Sequence, residues 1–345
     1  MTYRASRRRP SSGSEAVLAR GDKAQSLTKA RLEDFIARHY RLQGNQLQRR
    51  FEEAQPFRHL VLDDFFSEDF ARSLFDRFPP FDEKLALNED GRVGAKCVHE
   101  DLVALGGPWQ QLDALIQTRQ FLDWLGNLTG IEGLLYDPHY FGGGTHENRH
   151  GQDLDPHVDF NRHPVTGWHR RLNLIVYLNE EWRAEWGGAI EFHSDPRRPP
   201  QENHVEVVQP RYNRAVLFET TYWSWHGFER IELPGKDEDE RSRKSVALYF
   251  YSKKRPKKEL TPRHSTIYVD RPLPEHIKAG ATLSDEDVRT VQRLVARRDQ
   301  HIQRLYRHVS DLTERLEVIE RSMWLRMRRR LGTLARTLGI RRRRA

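Results

Sequence analysis

The chain is poor in sulfur-containing residues and in long apolar runs. Its 345 residues include one cysteine, Cys97, so a disulfide within the chain and a zinc site built from cysteines are both excluded. No apolar stretch approaches the roughly 20 residues that a membrane-spanning helix needs. The Arg- and Ser-rich segment 1–21 also lacks the apolar core of a secretion signal. We therefore expect a protein of the reducing cytoplasm.

Positive charge exceeds negative charge, and its placement is uneven. The formal net charge is +8, with basic clusters in the N-terminal tail, at 253–258 and near the C-terminus. Solvated tails are the simplest interpretation of these clusters. Peripheral contact of the C-terminal tail with an anionic membrane, or contact with another polyanion, stays open. The pattern predicts no specific nucleic-acid partner.

Composition and periodicity divide the chain into five segments. Residues 1–25 are polar and aperiodic, which predicts a disordered basic tail. In residues 26–55 apolar side chains recur at helical spacing and predict an N-terminal helix that serves as a lid or docking element. Residues 56–255 form the central domain, and residues 256–283 form a linker. Residues 284–345 are predicted to be helical and to end in a basic tail.

The second half of the central domain is rich in short β-forming segments separated by Gly, Pro and Asp. Eight such strands without helices between them predict a mainly β fold. This fold is a double-stranded β-helix, the cupin-like jelly roll, flanked by N-terminal helices and a C-terminal helical extension. The predicted strands are 134–141, 155–160, 171–178, 189–193, 204–208, 215–219, 225–231 and 245–252.

The segment after Ser284 carries apolar residues at alternating steps of three and four. With Arg298 accepted as one polar position, this spacing spells a coiled-coil heptad and predicts a homo-oligomer. The alternative is a long amphipathic helix packed on the central domain. The apolar positions are Val288, Val291, Val295, Ile302, Leu305, Val309, Leu312, Leu316, Ile319 and Met323.

The triplet His157-Val158-Asp159 places two metal-ligand side chains on one face of a predicted strand. By itself the triplet is weak evidence, and His193-Ser194-Asp195 is a second copy. His226 decides between them, because a facial triad needs a second imidazole from a neighbouring strand. From Asp159 to His226 the chain has room for four intervening strands, whereas Asp195 opens a Pro-rich loop. We predict a metal site of His157, Asp159 and His226.

The last predicted strand offers a cation for an anionic cosubstrate. Arg243, Ser245 and Ala247 share one face by strand alternation. A guanidinium fork beside a hydroxyl suits the distal carboxylate of 2-oxoglutarate. Tyr140, through its hydroxyl, and Asn173, through its amide, are further candidates for contact with this cosubstrate.

In this order the motifs resemble those of prolyl 4-hydroxylase-like 2-oxoglutarate/Fe(II) oxygenases, and the chain looks like a bacterial member. The resemblance spans residues 56–255 and rests on the motifs Phe57–Phe66, His157–Asn161, Arg170–Asn179, Trp186–Glu191, Ser224–Gly227 and Arg243–Ser245. It implies Fe(2+) on His157, Asp159 and His226, with 2-oxoglutarate held by a basic residue that matches Arg243. Dioxygen is the implied cosubstrate, succinate and CO2 are the coproducts, and ascorbate is an additional reductant.

Two positions depart from branches of this family. The collagen-modifying branch commonly has Lys where this chain has Arg243, which argues against strict collagen-type activity. The nucleic-acid demethylase branch has a second Arg six positions later, where this chain has Tyr249. We therefore expect a dioxygenase that hydroxylates an unidentified substrate, with a prolyl residue as one candidate. The alternatives are a cupin-like metal- or sugar-binding module and an oxygenase that modifies surface polysaccharide.

Overall fold

A computed structural model describes residues 31–87, 93, 96–235 and 241–337. The predicted disordered tail, residues 1–25, lies outside these ranges. Contacts divide the chain into two compact units, residues 1–86 with 93–269 and residues 87–92 with 270–345. The first unit carries the sheets and the second carries one long helix, so each is described by itself.

Two antiparallel sheets form the centre of the first unit. Their strands, in chain order, are β1 His59–Leu62, β2 Cys97–His99, β3 Leu135–Tyr136, β4 Gly144–Asn148, β5 Leu154–Val158, β6 His169–Tyr177, β7 Ile190–His193, β8 Val205–Val208, β9 Arg214–Glu219, β10 Trp225–Phe228, β11 Arg243–Ser252 and β12 Ile267–Tyr268. The larger sheet has the strand order β1-β9-β6-β11-β4-β2, with β3 added beside β11, and the smaller sheet has the order β12-β5-β10-β7-β8.

The strands from β4 to β11 cross between the two sheets in the order of a jelly roll. β4, β6, β9 and β11 lie in the larger sheet, and β5, β7, β8 and β10 lie in the smaller sheet. This is the predicted double-stranded β-helix. Between the sheets lies an apolar core that includes Phe192 and Phe218. Because strands alternate their side chains, polar groups on these same inner faces point into the barrel.

Helices cover the outer face of the larger sheet. They are α1 Leu32–Phe35, α2 Arg38–Leu42, α3 Gly44–Glu53, α4 Glu68–Asp76, α5 Leu102–Leu105, α6 Gly107–Ile116 and α7 Arg119–Thr129. Their apolar faces share one cluster with outward residues of the sheet, among them Leu174, Leu217 and Leu248. The larger sheet is thus covered on both faces. Helices pack on its outer face, and its inner face lines the barrel interior, where a site can form.

The single helix predicted for residues 26–55 is wrong, because the described part of this segment forms α1, α2 and α3. At Ile36 the backbone is extended and pairs with Phe66. The Ala37 N–H donates to the Phe65 carbonyl, and the Ser67 N–H donates to the Phe35 carbonyl. These tertiary hydrogen bonds replace helical ones. These helices pack against the rest of the first unit, with Leu47 and Phe51 of α3 fully buried, and are not a detached lid.

The first predicted jelly-roll strand, 134–141, is also wrong. In the structure this segment holds the two-residue β3 and then a turn, and the first barrel strand is β4. The turn forms because the Asp137 carboxylate accepts the N–H groups of His139 and Phe141. Tyr140 has a positive φ of 48° within it. Gly144, with φ of 98°, begins the strand beside a backbone carbonyl of β2.

The predicted linker, residues 256–283, is partly built into the first unit. β12 lies within it and pairs with β5, where Tyr268 is opposite His157. The boundary between the two units falls after Val269 rather than after residue 255. A two-residue strand bounded by irregular chain carries too little periodicity to be seen in the sequence.

In the second unit, α8 spans Asp285–Thr337. The Ser284 hydroxyl accepts the Asp287 N–H, while the Asp287 carboxylate accepts the Ser284 N–H, so the two side chains cap the start of the helix. Heptad residues from Leu305 to Met323 are more than half exposed. Within the described ranges, no helix combines the length and apolar content needed to cross a membrane.

Candidate metal and cosubstrate site

The fold brings the three predicted metal ligands together. β5 and β10 are neighbours, and His157 is directly opposite His226 in their register. Asp159 follows the end of β5. Its carboxylate oxygens lie 3.8 Å from the His157 Nε2 and 3.6 Å from the His226 Nε2. All three side chains are buried, so a metal ion between them would be shielded from bulk water.

Both imidazoles are held in the tautomer that a metal requires. The His157 Nδ1–H donates to the Asp155 carbonyl at 2.9 Å, and the His226 Nδ1–H donates to the Ser224 carbonyl at 2.9 Å. Because a carbonyl can only accept, the proton is on Nδ1 in each ring. The Nε2 lone pairs are therefore free on the side of Asp159, as in metal-binding histidines.

Two neighbours hold the Asp159 carboxylate. The Asn173 Nδ2 donates to Asp159 Oδ2 at 2.8 Å, and the Arg170 guanidinium pairs with the same oxygen at 3.2 Å. Burial favours the protonated acid, but Arg170 and the two imidazoles outweigh it and hold the pKa of Asp159 well below its usual range. The carboxylate is therefore an anion at neutral pH.

Burial also keeps the imidazoles neutral. It lowers the pKa of His157 to about 3, helped by the neighbouring His226, and it lowers the pKa of His226. All three groups are thus in the deprotonated state that binds metal. Two imidazole nitrogens and one carboxylate oxygen from one side of a barrel match the 2-His-1-carboxylate set typical of ferrous iron.

The second His-x-Asp triplet takes no part in this cluster. His193 ends β7, where its Nδ1 contacts the Asn203 side chain at 3.0 Å and its Nε2 lies 3.5 Å from Glu191. Asp195 lies in the following loop and pairs with Arg197. The structure thus brings the first triplet, and not the second, together with His226.

Arg243 points into the same barrel from β11. Its Nε donates to the Gly188 carbonyl at 2.6 Å, and its Nη2 donates to the Tyr177 hydroxyl at 3.1 Å. Its Nη1 lies 3.5 Å from the Asn148 side-chain oxygen, and its guanidinium stacks over Phe228. Among the described residues no carboxylate pairs with it, and burial lowers its pKa. A buried cation with neutral neighbours is suited to an anionic ligand.

The other three cosubstrate candidates differ in placement. Ser245 is buried on β11 opposite Tyr177, on the same face as Arg243. Asn173 also faces inward, but its amide is engaged by Asp159 and Arg170. Tyr140 lies on the helical side, where its hydroxyl donates to Asp113 at 2.8 Å. This placement does not favour the predicted contact of Tyr140 with 2-oxoglutarate. The prediction puts Tyr140 on the first barrel strand, whereas this segment forms a turn on the helical side.

Four interior residues were not identified from the sequence. Tyr177 could have been found, because it shares strand parity with Asn173. Arg170 could not, since a register shift between β6 and β11 at this point changes the alternation. Lys96, whose ammonium lies 3.5 Å from the His146 Nε2, immediately precedes β2 in a segment without a recognisable motif. Tyr268, which stacks on His157 at 5.2 Å, lies in the predicted linker.

A family model described as "2OG-Fe(II) oxygenase superfamily" matches residues 143–251. The matched range begins just before β4, ends in β11 and includes the triad and Arg243. This segment is a 2OG-Fe(II) oxygenase domain. Iron(II) and 2-oxoglutarate are the metal and cosubstrate of this family, and both fit the residues present. The donor set suits ferrous iron, and the carboxylate-free Arg243 suits the far end of 2-oxoglutarate.

Among known proteins, mouse prolyl 3-hydroxylase OGFOD1 is 22% identical over 208 residues, which are 57% of this chain and 33% of that protein. The chain thus spans about a third of the length of this curated relative. A solved prolyl 4-hydroxylase from Phytophthora capsici is 17% identical, with a TM-score of 0.41 and coverage of 76% and 72%. A solved prolyl-4-hydroxylase from Pseudomonas putida is 13% identical, with a TM-score of 0.38 and coverage of 60% and 99%.

Proposed function

We propose that this protein is an Fe(II)- and 2-oxoglutarate-dependent dioxygenase that hydroxylates its substrate and releases succinate and CO2. The observation that carries the proposal is the presence of a 2-His-1-carboxylate triad and a buried, carboxylate-free Arg243 in one barrel interior. Either feature alone would fit other metal or anion sites. Together they suit a metal and a dicarboxylate bound side by side.

Separate sets of residues would bind the metal and the cosubstrate. His157, Asp159 and His226 would hold the iron, and the Arg243 guanidinium with the Tyr177 hydroxyl would hold the far carboxylate of 2-oxoglutarate. When bound, iron and 2-oxoglutarate supply the oxidising power that converts a C–H bond to C–OH with dioxygen. The apolar lining between the sheets excludes water from this chemistry.

A prolyl residue is the first substrate class to test, because the sequence resembles prolyl hydroxylases and the mouse relative is named as one. An oxygenase acting on surface polysaccharide would use the same reaction on a different substrate class. A cupin-like metal- or sugar-binding module is the rival from another class. Arg243 argues against a module that binds only a metal or a neutral sugar, since neither ligand offsets the cost of a desolvated cation.

Turnover is the direct test of this proposal. The full chain, reconstituted with Fe(II), is incubated with 2-oxoglutarate and candidate peptides or glycans, and succinate and a 16 Da mass gain in the candidate are measured. We expect substrate-linked succinate that disappears in Asp159→Ala and persists in Asp195→Ala, the matched change in the second triplet. Iron-independent turnover, or equal loss in both variants, would sink the proposal.

We further propose that α8 associates two copies of the chain as a parallel coiled coil. The heptad places mainly β-branched residues at one seam position, such as Val295, Ile302 and Val309. The other position holds Leu305 and Leu312 together with Val291, Arg298 and Ile319. This partition favours parallel two-stranded assembly. In that arrangement Arg315 of one copy lies near Glu320 of the other. Side chains along this seam are largely exposed, which supports a partner there.

Molecular mass in solution tests the self-association. Leu312→Asp changes a seam position, and Val318→Asp changes an equally exposed apolar residue off the seam, 60% against 57%. We expect dimer mass for the natural chain and Val318→Asp, and monomer mass for Leu312→Asp. A monomeric natural chain would contradict the proposal.

Cytoplasmic location and peripheral membrane contact of the basic tail also stay proposals, supported by composition alone. Deleting residues 284–345 and measuring both recovery on anionic vesicles and mass in solution tests whether this segment anchors, assembles or does neither. Vesicle binding that survives the deletion would contradict the role of the tail.

A further inference from the structure

A second cation, the half-buried Lys96, lies at the edge of the barrel interior that also holds Arg243. Val98 of β2 is opposite His146 of β4, which in turn is opposite Ser245 of β11. Lys96 immediately precedes β2, and its side chain reaches the same side as His146. Its Nζ lies 3.5 Å from the buried His146 Nε2. The ammonium thus belongs to the interior that holds the metal and cosubstrate residues.

His146 does not neutralise this ammonium. Burial and Lys96 itself lower the pKa of His146 well below its ordinary value, so the ring is neutral. Its Nε2 lies 3.1 Å from the Gly142 carbonyl, which can only accept, so Nε2 carries the proton. A protonated nitrogen offers Lys96 no acceptor. No carboxylate of the described residues forms an ion pair with the ammonium.

The charges around Lys96 leave a positive excess. Burial lowers the pKa of Lys96 to about 8, with Arg170 and Arg243 opposing its proton and Asp159 favouring it. Glu100 also favours the proton, but it lies at the exposed rim, where water screens its charge. A divalent metal and doubly charged 2-oxoglutarate would cancel each other. The loaded site would therefore keep more buried positive than negative charge.

We propose that Lys96 binds an anionic group of the substrate, most simply a carboxylate, beside the metal. This inference rests on the proposed function and adds a substrate class to it. A carboxylate at Lys96 would complete the ammonium's hydrogen bonds and reduce the charge excess. Arg243 has its own neutral partners, Tyr177 and Gly188, on the other side of β4. Substrate and cosubstrate carboxylates would thus use separate cations.

Trifluoroacetate is a small carboxylate probe for this site. The full chain is loaded with Mn(II), a paramagnetic ion, and saturated with 2-oxoglutarate, and the ¹⁹F relaxation of added trifluoroacetate is measured. A carboxylate held near the metal relaxes faster. We expect enhanced relaxation in the natural chain and in Lys96→Arg, and about tenfold weaker apparent binding in Lys96→Gln, from the loss of a charge-assisted hydrogen bond. Exposed Lys84→Gln is the matched control and keeps the enhancement.

Each other outcome is decisive. Enhancement absent from the natural chain, or unchanged in Lys96→Gln, overturns the inference. Enhancement that 2-oxoglutarate abolishes would assign Lys96 to the cosubstrate and also overturn it. Mn(II) affinity is measured first, because failure of the natural chain to bind Mn(II) would overturn the metal site itself, and this inference with it. Intact Mn(II) and 2-oxoglutarate binding without the probe effect would leave the proposed function standing.

Discussion

Replacing Arg243 with Met should separate ligand binding from folding stability. The substitution removes a buried cation that has no carboxylate partner among the described residues, and it retains an apolar side chain that fills space beside Phe228. Loss of the cation relieves a desolvation cost of several kcal/mol, while the Gly188 carbonyl and the Tyr177 hydroxyl lose a partner at about 1–3 kcal/mol each. These effects roughly offset, so the ligand-free protein should be about as stable as the natural one.

Binding of 2-oxoglutarate should suffer far more. Two charge-assisted hydrogen bonds from the Arg243 guanidinium to a carboxylate contribute about 1.5–3 kcal/mol each, so their loss raises Kd at least about 100-fold. Tyr177→Phe removes one neutral hydroxyl, worth about 1 kcal/mol, and should raise Kd about fivefold. Ligand at about 100 times Kd stabilises a protein by about 2.7 kcal/mol, or about 5–10 °C in Tm for a domain of this size.

Thermal unfolding of the Mn(II)-loaded protein, with and without 2-oxoglutarate, measures both quantities. At a ligand concentration about 100 times the natural Kd, the shift should fall to about 1 °C in Arg243→Met and stay full in the exposed control Arg183→Met. If Arg243→Met keeps the full shift, Arg243 is not the cosubstrate cation. A ligand-free protein that unfolds many degrees lower would refute the stability argument.

Three further predictions concern positions around the barrel. Asn173→Ala should weaken Mn(II) binding about 10–100-fold by calorimetry, because it frees the ligand carboxylate, and unchanged affinity would contradict this. Burial holds the pKa of His146 well below 6.5, so the contribution of this residue to stability should be constant above pH 6.5 and fall below it, as the unfolded chain takes up the proton. His146→Gln should flatten that fall in denaturant titrations, and an identical slope would contradict the assignment. Gly144→Ala should destabilise the fold by at least about 3 kcal/mol, because its Cβ would meet a backbone carbonyl of β2, while Gly167→Ala, in open space, should cost less.

The jelly roll was largely predictable because its strands carry local signals. Short β-rich segments between Gly, Pro and Asp indicate most of the barrel strands, and a count of these strands brings His157 and His226 together. The first barrel strand was missed, since apolar residues near Leu135 have strand-like composition while Asp137 accepts backbone N–H groups that would otherwise pair in a sheet. Composition does not show whether a backbone N–H will bond to a nearby side chain or to a neighbouring strand.

The rest of the site depends on tertiary features. Arg170 reaches Asp159 only through a register shift between β6 and β11, and Lys96 reaches His146 from the segment just before β2. The broken N-terminal helix has the same cause, because the hydrogen bonds of Ala37 and its neighbours to the chain after β1 override helical spacing. Local periodicity predicts elements, but bulges and edge pairings decide which polar groups face inward.

The central claim is that His157, Asp159 and His226 hold ferrous iron beside a 2-oxoglutarate bound by Arg243. An anaerobic optical titration of the Fe(II) protein with 2-oxoglutarate tests it most directly. We predict a visible absorption change that saturates at one 2-oxoglutarate per chain, disappears in His226→Ala and persists in His193→Ala. A ferrous protein that shows no such change, or one in which both variants behave alike, would contradict the account.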